Sequence, residues 1–438
     1  MKIVFGVILS AIIWFGDDIR KNNFARPAFS VFVERDPRLL MIGAQTAGKE
    51  KQGKKRRNGN SRKPTGGGLL FHLYKNTKKR AIRFLSHSGM TLFATLFTTE
   101  EMNYQNEINI PSDSRTRRTR MTEPIRLLVR ENELRPHDFI LPLFASDKSA
   151  AYRHEISSMP GVYQLGLDNI LRESERALEA KLGGIILFGV TDDKDETGSS
   201  AHNEFGIIQQ SSREIKKRFP ELLVATDVCL CEYTSHGHCG IIKEKENGGF
   251  EIDNDETVEQ LVSEALSHAE AGSDLISPSD MMDGRIGAIR DALDENCFEN
   301  LPIMSYAAKY ASGFYGPFRE AAGSSPSFGD RRSHQMDPAN SDEAMRVIER
   351  DIREGADIIM VKPAMSYLDI VRRAKDEFTI PVAAYQVSGE FSMIKAAATN
   401  GWLDEESVMM ESLLCIKRAG ASIILTYFAL DAAKILKQ

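Results

Sequence analysis

The sequence predicts an α/β chain folded as a (β/α)8 TIM barrel behind a long basic leader. Three observations carry that reading. Strand-length apolar runs recur eight times between residues 139 and 428, amphipathic stretches separate them, and the residues that bear chemistry fall at the ends of the runs. No G-x-G-x-x-G follows the first run, which argues against a doubly wound open sheet.

The leader comes first in the chain. Residues 3–16 (IVFGVILSAIIWFG) are apolar but too short to span a bilayer comfortably. KEKQGKKRRNGNSRKPTGGG at 49–68 and KNTKKRAIRF at 75–84 have too few apolar residues per charge to offset chain entropy, so residues 1–110 are expected to be disordered. Three readings of this leader stay open: an organelle-targeting segment, a start assigned upstream of the true one near Met121, and a basic tail for an acidic partner. The net charge of −6 divides into +14 for residues 1–120 and −20 for the remainder. An acidic body argues against nucleic-acid binding.

The strands follow in order as FILPLF (139–144), GIILFGV (184–190), LLVATDV (222–228), DLISPS (274–279), PIMSYA (302–307), DIIMVK (357–362), PVAAYQV (381–387) and SIILTYF (422–428). Their nearly continuous apolar character predicts burial on both faces, as in parallel sheets. Helices are predicted over 169–183, 253–272, 341–355, 366–378 and 404–420, several closing at a glycine. The 180–205 and 310–340 segments, rich in Gly, Ser and Pro, read as functional loops at strand ends.

Barrel chemistry belongs at the C-terminal strand ends. The third strand runs into DVCLCEYTSHGHCG, whose Cys229, Cys231 and Cys239 match a zinc site with three protein ligands and an open position. His236 and His238 are further candidate ligands, and the bland alternative is buried structural cysteine, preferred for the isolated Cys297 and Cys415. The fifth strand ends in Tyr306 and Lys309, the sixth in Lys362. One such lysine ordinarily snorkels to water. Two on neighbouring strands, between apolar walls, depress each other's charged form and suggest amines that meet two carbonyl groups. Asp227, Ser279, Asp280, Tyr385, Ser388 and Tyr427 are the polar residues at other strand ends. Arg319, Arg331, Arg332 and Gln335 lie in the long loop after the fifth strand, where an arginine fork suits a carboxylate, although Arg332 reads as a plain surface charge.

These residues together resemble one family. DVCLCEYTSHGHCG, MSYAAKYASGFYGPFREAAG, GDRRSHQMDP, MVKPAMSYLDIV, AAYQVSGE and TYFALD, in that order from about Ser112 to the C-terminus, resemble 5-aminolevulinate dehydratase, or porphobilinogen synthase. The resemblance implies condensation of two 5-aminolevulinates to porphobilinogen with loss of two waters. Lys362 is then the Schiff-base lysine for the substrate that supplies the propionate side, and Lys309 holds the other ketone. Cys229, Cys231 and Cys239 hold zinc, as in the cysteine-rich subgroup. Arg319, Arg331, Ser388 and Tyr427 match substrate-carboxylate contacts, Ser279 and Tyr306 pocket residues, and Asp227 an acid beside the metal strand.

The resemblance also implies a homo-octamer, with 111–136 as an N-terminal arm before a catalytic domain at 137–438. Many members bind an allosteric magnesium through a glutamate fifteen residues before the Schiff-base lysine. Here that position is Val347, with Glu349 nearby, which speaks against the magnesium site. Reduced thiolates require a cytoplasm or, with a targeting leader, an organelle stroma. A class I aldolase on the same barrel needs one lysine and no thiolates. An inactive zinc-bound oligomeric scaffold needs neither lysine.

Overall fold

The computed structural model describes residues 115–437 except 247, together with five strand segments nearer the N-terminus. The chain divides into two compact units, Met1–Thr116 and Arg117–Gln438. In the first, Phe29–Asp36 pairs antiparallel with Leu39–Thr46, and Phe71–Leu73, Arg80–Leu85 and Thr91–Leu96 form a three-stranded sheet. The rest of the leader, with the apolar run 3–16 and the basic run 49–68, lies outside the described residues.

The second unit is the expected barrel. Its strands are β1 (Phe139–Ser146), β2 (Gly184–Val190), β3 (Val224–Val228), β4 (Leu275–Pro278), β5 (Met304–Lys309), β6 (Ile358–Lys362), β7 (Val382–Gln386) and β8 (Ile423–Thr426). Parallel ladders run in the spatial order β4-β3-β2-β1-β8-β7-β6-β5. One isolated bridge, Ile276 to Ile303, brings β4 against β5 and closes the ring. Burial on both faces is met: every residue of β1 is buried, as are Ile359, Met360 and Val361 of β6. Each fully buried aliphatic side chain contributes about 1.5–3 kcal/mol relative to exposure.

The helices are α1 (Leu167–Glu179), α2 (Ile207–Arg218), α3 (Asn254–Glu270), α4 (Arg285–Glu295), α5 (Gly316–Ala321), α6 (Asp342–Arg353), α7 (Leu368–Glu377), α8 (Ser388–Thr399), α9 (Glu405–Ala419) and α10 (Ala429–Leu436). Asp253 and Asp404 cap α3 and α9, their carboxylates accepting from the amides of Glu256 and Ser407 at 3.2 and 2.8 Å. Gly272, Gly355 and Gly420 stop α3, α6 and α9 with φ of 90°, 105° and 125°, which a side chain disfavours. Two loops extend over the C-terminal face. One carries the short hairpin Ile242–Glu244 with Phe250–Ile252, and the other spans residues 310–341 between β5 and α6.

Candidate active site

β5 and β6 run parallel with Lys309 directly beside Lys362. Equivalent register sends both side chains to the same face, and both amines stand over the ring of Tyr306, at 5.8 and 5.0 Å. Both lysines are buried. The Lys362 amine is walled by Tyr385 at 4.4 Å, Phe318 at 5.0 Å and Tyr315 at 5.5 Å. Burial, reinforced by the charge of Lys309, brings the Lys362 amine down to about 7. Aromatic faces attract an ammonium, but here they also exclude the water that would solvate it.

Lys309 behaves differently from the sequence expectation. Burial pulls it down, yet the charges of Cys239, Cys229, Cys231 and Asp227 outweigh burial and hold it above its ordinary value. The two amines are therefore unlike: one tends to neutrality and one to charge. The spacing of motifs gave no sign of this, because it depends on how near the cysteine loop folds to β5. The Lys309 amine donates to the Ser279 carbonyl, and Ser279 Oγ donates to Asp227 Oδ2 at 2.9 Å. Burial raises the Asp227 carboxyl to about 6 against the pull of both lysines. The hydroxyls of Tyr385 and Tyr427 stand 3.0 Å apart. Strand-end residues from β3 to β8 thus converge on one interior site.

The cysteine loop is built by local geometry. Cys229 is extended, a single 3-10 turn (Leu230–Glu232) carries Cys231, and Thr234 Oγ1 donates to the His238 carbonyl at 2.8 Å. Gly237 turns the chain with φ 69°, and a Cβ there would lie 2.4 Å from the Ser325 carbonyl, so only glycine fits. Cys239 returns beside its partners. The three Sγ atoms, all buried, lie within 4.8 Å of one another, with Cys229 and Cys231 3.4 Å apart. Bonds of about 2.3 Å to one tetrahedral ion span such separations, so the trio fits a metal. Hydrogen bonds with Cys229 and Cys231 hold Cys239 well below the usual thiol value, while those that Cys229 makes with Cys231 and Cys239 push it well above. His236 and His238 stay outside the trio: their Nε2 atoms meet the carbonyls of Glu196 and Phe328 at 3.1 and 3.0 Å. The isolated Cys297 is exposed and Cys415 half-buried, not the buried cysteines expected: Cys297 follows the C-terminal end of α4, and Cys415 lies within α9 outside the set Met409, Ser412, Leu413 and Ile416 that the helix buries.

The long loop lies over this face. Arg331 is buried and donates to the carbonyls of Gly237 and Ser324 at 2.7 and 2.6 Å, which ties the loop to the cysteine turn. His238, Phe328 and Phe250 pack ring against ring in sequence, tilted, with centroids 4.7 and 5.1 Å apart. Arg319 is half-buried with its Nε unpaired, and the buried Gln335 has an unpaired amide nitrogen, donors left available to a ligand. Arg332 is exposed beside Asp330, as expected. Ser388 opens α8 and accepts from the Phe318 amide at 3.0 Å, which holds that ring against Lys362. Sequence reasoning missed Tyr315 and Phe318, although GFYGPF was a visible aromatic run. It also missed Glu390, whose carboxyl accepts from the amides of Val387 and Met365 at 2.8 and 2.7 Å and pins the turn after Lys362.

A closed parallel barrel with paired lysines, a thiol trio and free arginine donors at its strand ends defines an α/β-barrel enzyme. The sequence matches the family Delta-aminolevulinic acid dehydratase over residues 113–435. It is 54% identical over 323 residues to the delta-aminolevulinic acid dehydratase of Synechocystis sp., covering 74% of this chain and 98% of that one. The Staphylococcus aureus dehydratase is 51% identical over 322 residues, with the same coverage of both chains. The crystal structure of the Toxoplasma gondii delta-aminolevulinic acid dehydratase (porphobilinogen synthase), in complex with the reaction product porphobilinogen, superposes with a TM-score of 0.71 at 38% identity, covering 81% of this chain and 95% of that chain. The chain belongs to the delta-aminolevulinic acid dehydratase family. The resemblance read from the sequence is borne out, and with it the expectation of an enzyme on a TIM barrel.

Proposed function

We propose that this enzyme condenses two molecules of 5-aminolevulinate to porphobilinogen with loss of two waters, through imines on Lys362 and Lys309. The observation that carries the reading is the side-by-side register of these two buried lysines. A neutral amine adds to a substrate ketone, and the C–N bond becomes an imine as the ketone oxygen leaves as water. Two ketones account for two waters. Both lysines are freed when the carbon–carbon and carbon–nitrogen bonds of the product ring replace the imines. Lys362, brought down to about 7, is suited to attack first. Arg319, Arg331, Ser388 and Tyr427 receive substrate carboxylates, Arg331 by exchanging its loop carbonyls for the stronger charged partner. Asp227, Ser279, Tyr306, Tyr385 and Gln335 supply polar contacts within reach of the amines.

Cys229, Cys231 and Cys239 are the residues that would hold a metal, and their soft sulfur donors select zinc over magnesium. When bound, zinc supplies Lewis-acid polarisation beside the second substrate. Magnesium does not fit at the helical position read from the sequence: Val347 of α6 packs against the core and offers no oxygen. Residues 111–136 serve as an assembly arm of a homo-oligomer, an octamer by family resemblance. The short helix Glu123–Leu128 supports this, with Leu127, Leu128 and the following Val129 exposed. Among the described residues no helix is long and apolar enough to cross a membrane. Three thiols that must stay reduced to bind metal favour a reducing compartment, the cytoplasm, or an organelle stroma if residues 1–110 are a targeting segment.

Turnover tests the reading. Zinc-replete enzyme given 5-aminolevulinate is expected to release porphobilinogen, seen by its colour reaction with an aromatic aldehyde, and chelation is expected to stop it. Absence of product from folded, metal-loaded enzyme contradicts the proposal, and product from a single-lysine aldolase or an inert scaffold is not expected.

A further inference from the structure

The seam between β4 and β5 is where the barrel is least joined by backbone. The other neighbouring strands share ladders, whereas β4 and β5 meet at the single bridge of Ile276 with Ile303. Lys309 stands at the end of β5, and its amine reaches across this seam to the carbonyl of Ser279, just beyond β4. Ser279 is the last residue held by β3, its amide donating to the Val228 carbonyl at 3.0 Å, and the rest of the loop, Asp280–Gly284, runs beyond that last rung with no ladder on the β5 side. The loop is also strained, since Met281 adopts φ 83°, a left-handed conformation that a side chain disfavours.

One side chain holds both sides of the seam. Arg285, the first residue of α4, is fully buried. Its NH1 donates to the Met282 carbonyl at 3.0 Å, and its Nε lies 3.4 Å from Asp280 Oδ2, both in the loop after β4. Its NH2 stands 3.2 Å from Ser305 Oγ and 3.4 Å from the Tyr306 carbonyl on β5, and 3.3 Å from Asp351 Oδ2 on α6. Ser305 Oγ donates to the same Asp351 oxygen at 2.6 Å, and Asp280 Oδ1 accepts from the Met282 amide at 2.6 Å. A fully buried ion network adds little net stability over apolar packing of equal volume, so what it supplies is fixed geometry. A planar guanidinium with several donors is suited to that task, where a lysine offers a single point charge.

We infer that Arg285 is a positioning residue for Lys309: it clamps the Ser279 loop to β5 across the open seam and so holds the second amine at a constant place beside Lys362. This rests on the two-imine reading proposed above. Arg285 touches neither lysine and has no exposed surface, so it acts only through the Ser279 loop and β5.

Two variants test it in the zinc-loaded full chain. Arg285→Lys keeps the charge and removes the fork. Asp351→Asn keeps the shape and loosens the guanidinium from α6, and it reads the same property if Arg285→Lys does not fold. Each is saturated with 5-aminolevulinate, reduced with borohydride and mapped by peptide mass spectrometry. The expected result is labelling of Lys362 within about twofold of wild type and of Lys309 reduced about tenfold or more, with the melting temperature and zinc content retained. Wild-type labelling at both lysines in a variant overturns the inference, and so does an equal loss at both, which marks general unfolding of the site. Wild-type enzyme labelled on neither lysine contradicts the two-imine reading itself, and the inference falls with it.

Discussion

At the scale of single residues, two lysines in equal register have unequal chemistry. The aromatic walls of Tyr385, Tyr306, Phe318 and Tyr315 strip water from Lys362, while the thiols hold a proton on Lys309. An amine lowered to about 7 is neutral above that pH and charged below it. Imine trapping at Lys362 is therefore expected to rise as pH passes upward through about 7 and then level off, whereas an unperturbed lysine would still be rising near pH 10. Lys309→Met removes the neighbouring like charge, so the midpoint for Lys362 is expected to move to higher pH. The pH dependence of borohydride labelling at Lys362 in the two proteins checks both, and an unchanged or lower midpoint in the variant contradicts the electrostatic account. Residue identities at strand ends were legible, because chemistry in a parallel barrel gathers there. The inequality of the lysines was not, because it arises from the approach of Cys239, which returns only after the Gly237 turn.

Among the elements, the eight strands were readable as continuous apolar runs because both of their faces are buried, and their short length between turn residues separates them from buried helices. Helices α3, α6, α7 and α9 were readable from their apolar stripes and terminal acids or glycines. α2 and α8 were harder: α2 buries Gln209, Ser211 and Ser212 alongside its isoleucines, so its polar residues hide its inner face. The loop over the active face was recognised by composition, but its closure onto the cysteine turn through Arg331, His238 and Phe328 needs the fold. A helix stop makes a sharper test of local physics. At Gly420, φ is 125° and a Cβ would lie 2.6 Å from Lys375 Cβ. Gly420→Ala is expected to destabilise the barrel by about 1 kcal/mol or more, since strain and overlap exceed the gain from a stiffer unfolded chain. Thermal unfolding at fixed zinc concentration measures it, and an unchanged midpoint contradicts the steric reading.

For the molecule as a whole, the charge division seen in the sequence separates an acidic body that matches the family from a basic N-terminal stretch outside that match. The family match begins at residue 113, close to the division of the structure at Thr116 and Arg117. Removal of residues 1–110 is accordingly expected to leave turnover within about twofold of the full chain. If 111–136 is the assembly arm proposed above, its removal as well is expected to give smaller species, because the exposed Leu127, Leu128 and Val129 that would cover a neighbouring subunit are lost with it. Light scattering on the two truncations distinguishes these outcomes, and the same number of subunits in both would exclude the arm from assembly.

The central claim, that Lys362 is the amine that first captures substrate, is tested most directly by intact-mass and peptide mapping after borohydride reduction of zinc-loaded enzyme with limiting 5-aminolevulinate. The account predicts one substrate-derived adduct per active subunit, placed on Lys362 and lost in Lys362→Met. An adduct found first on Lys309, or no adduct on folded and metal-loaded protein, would contradict it.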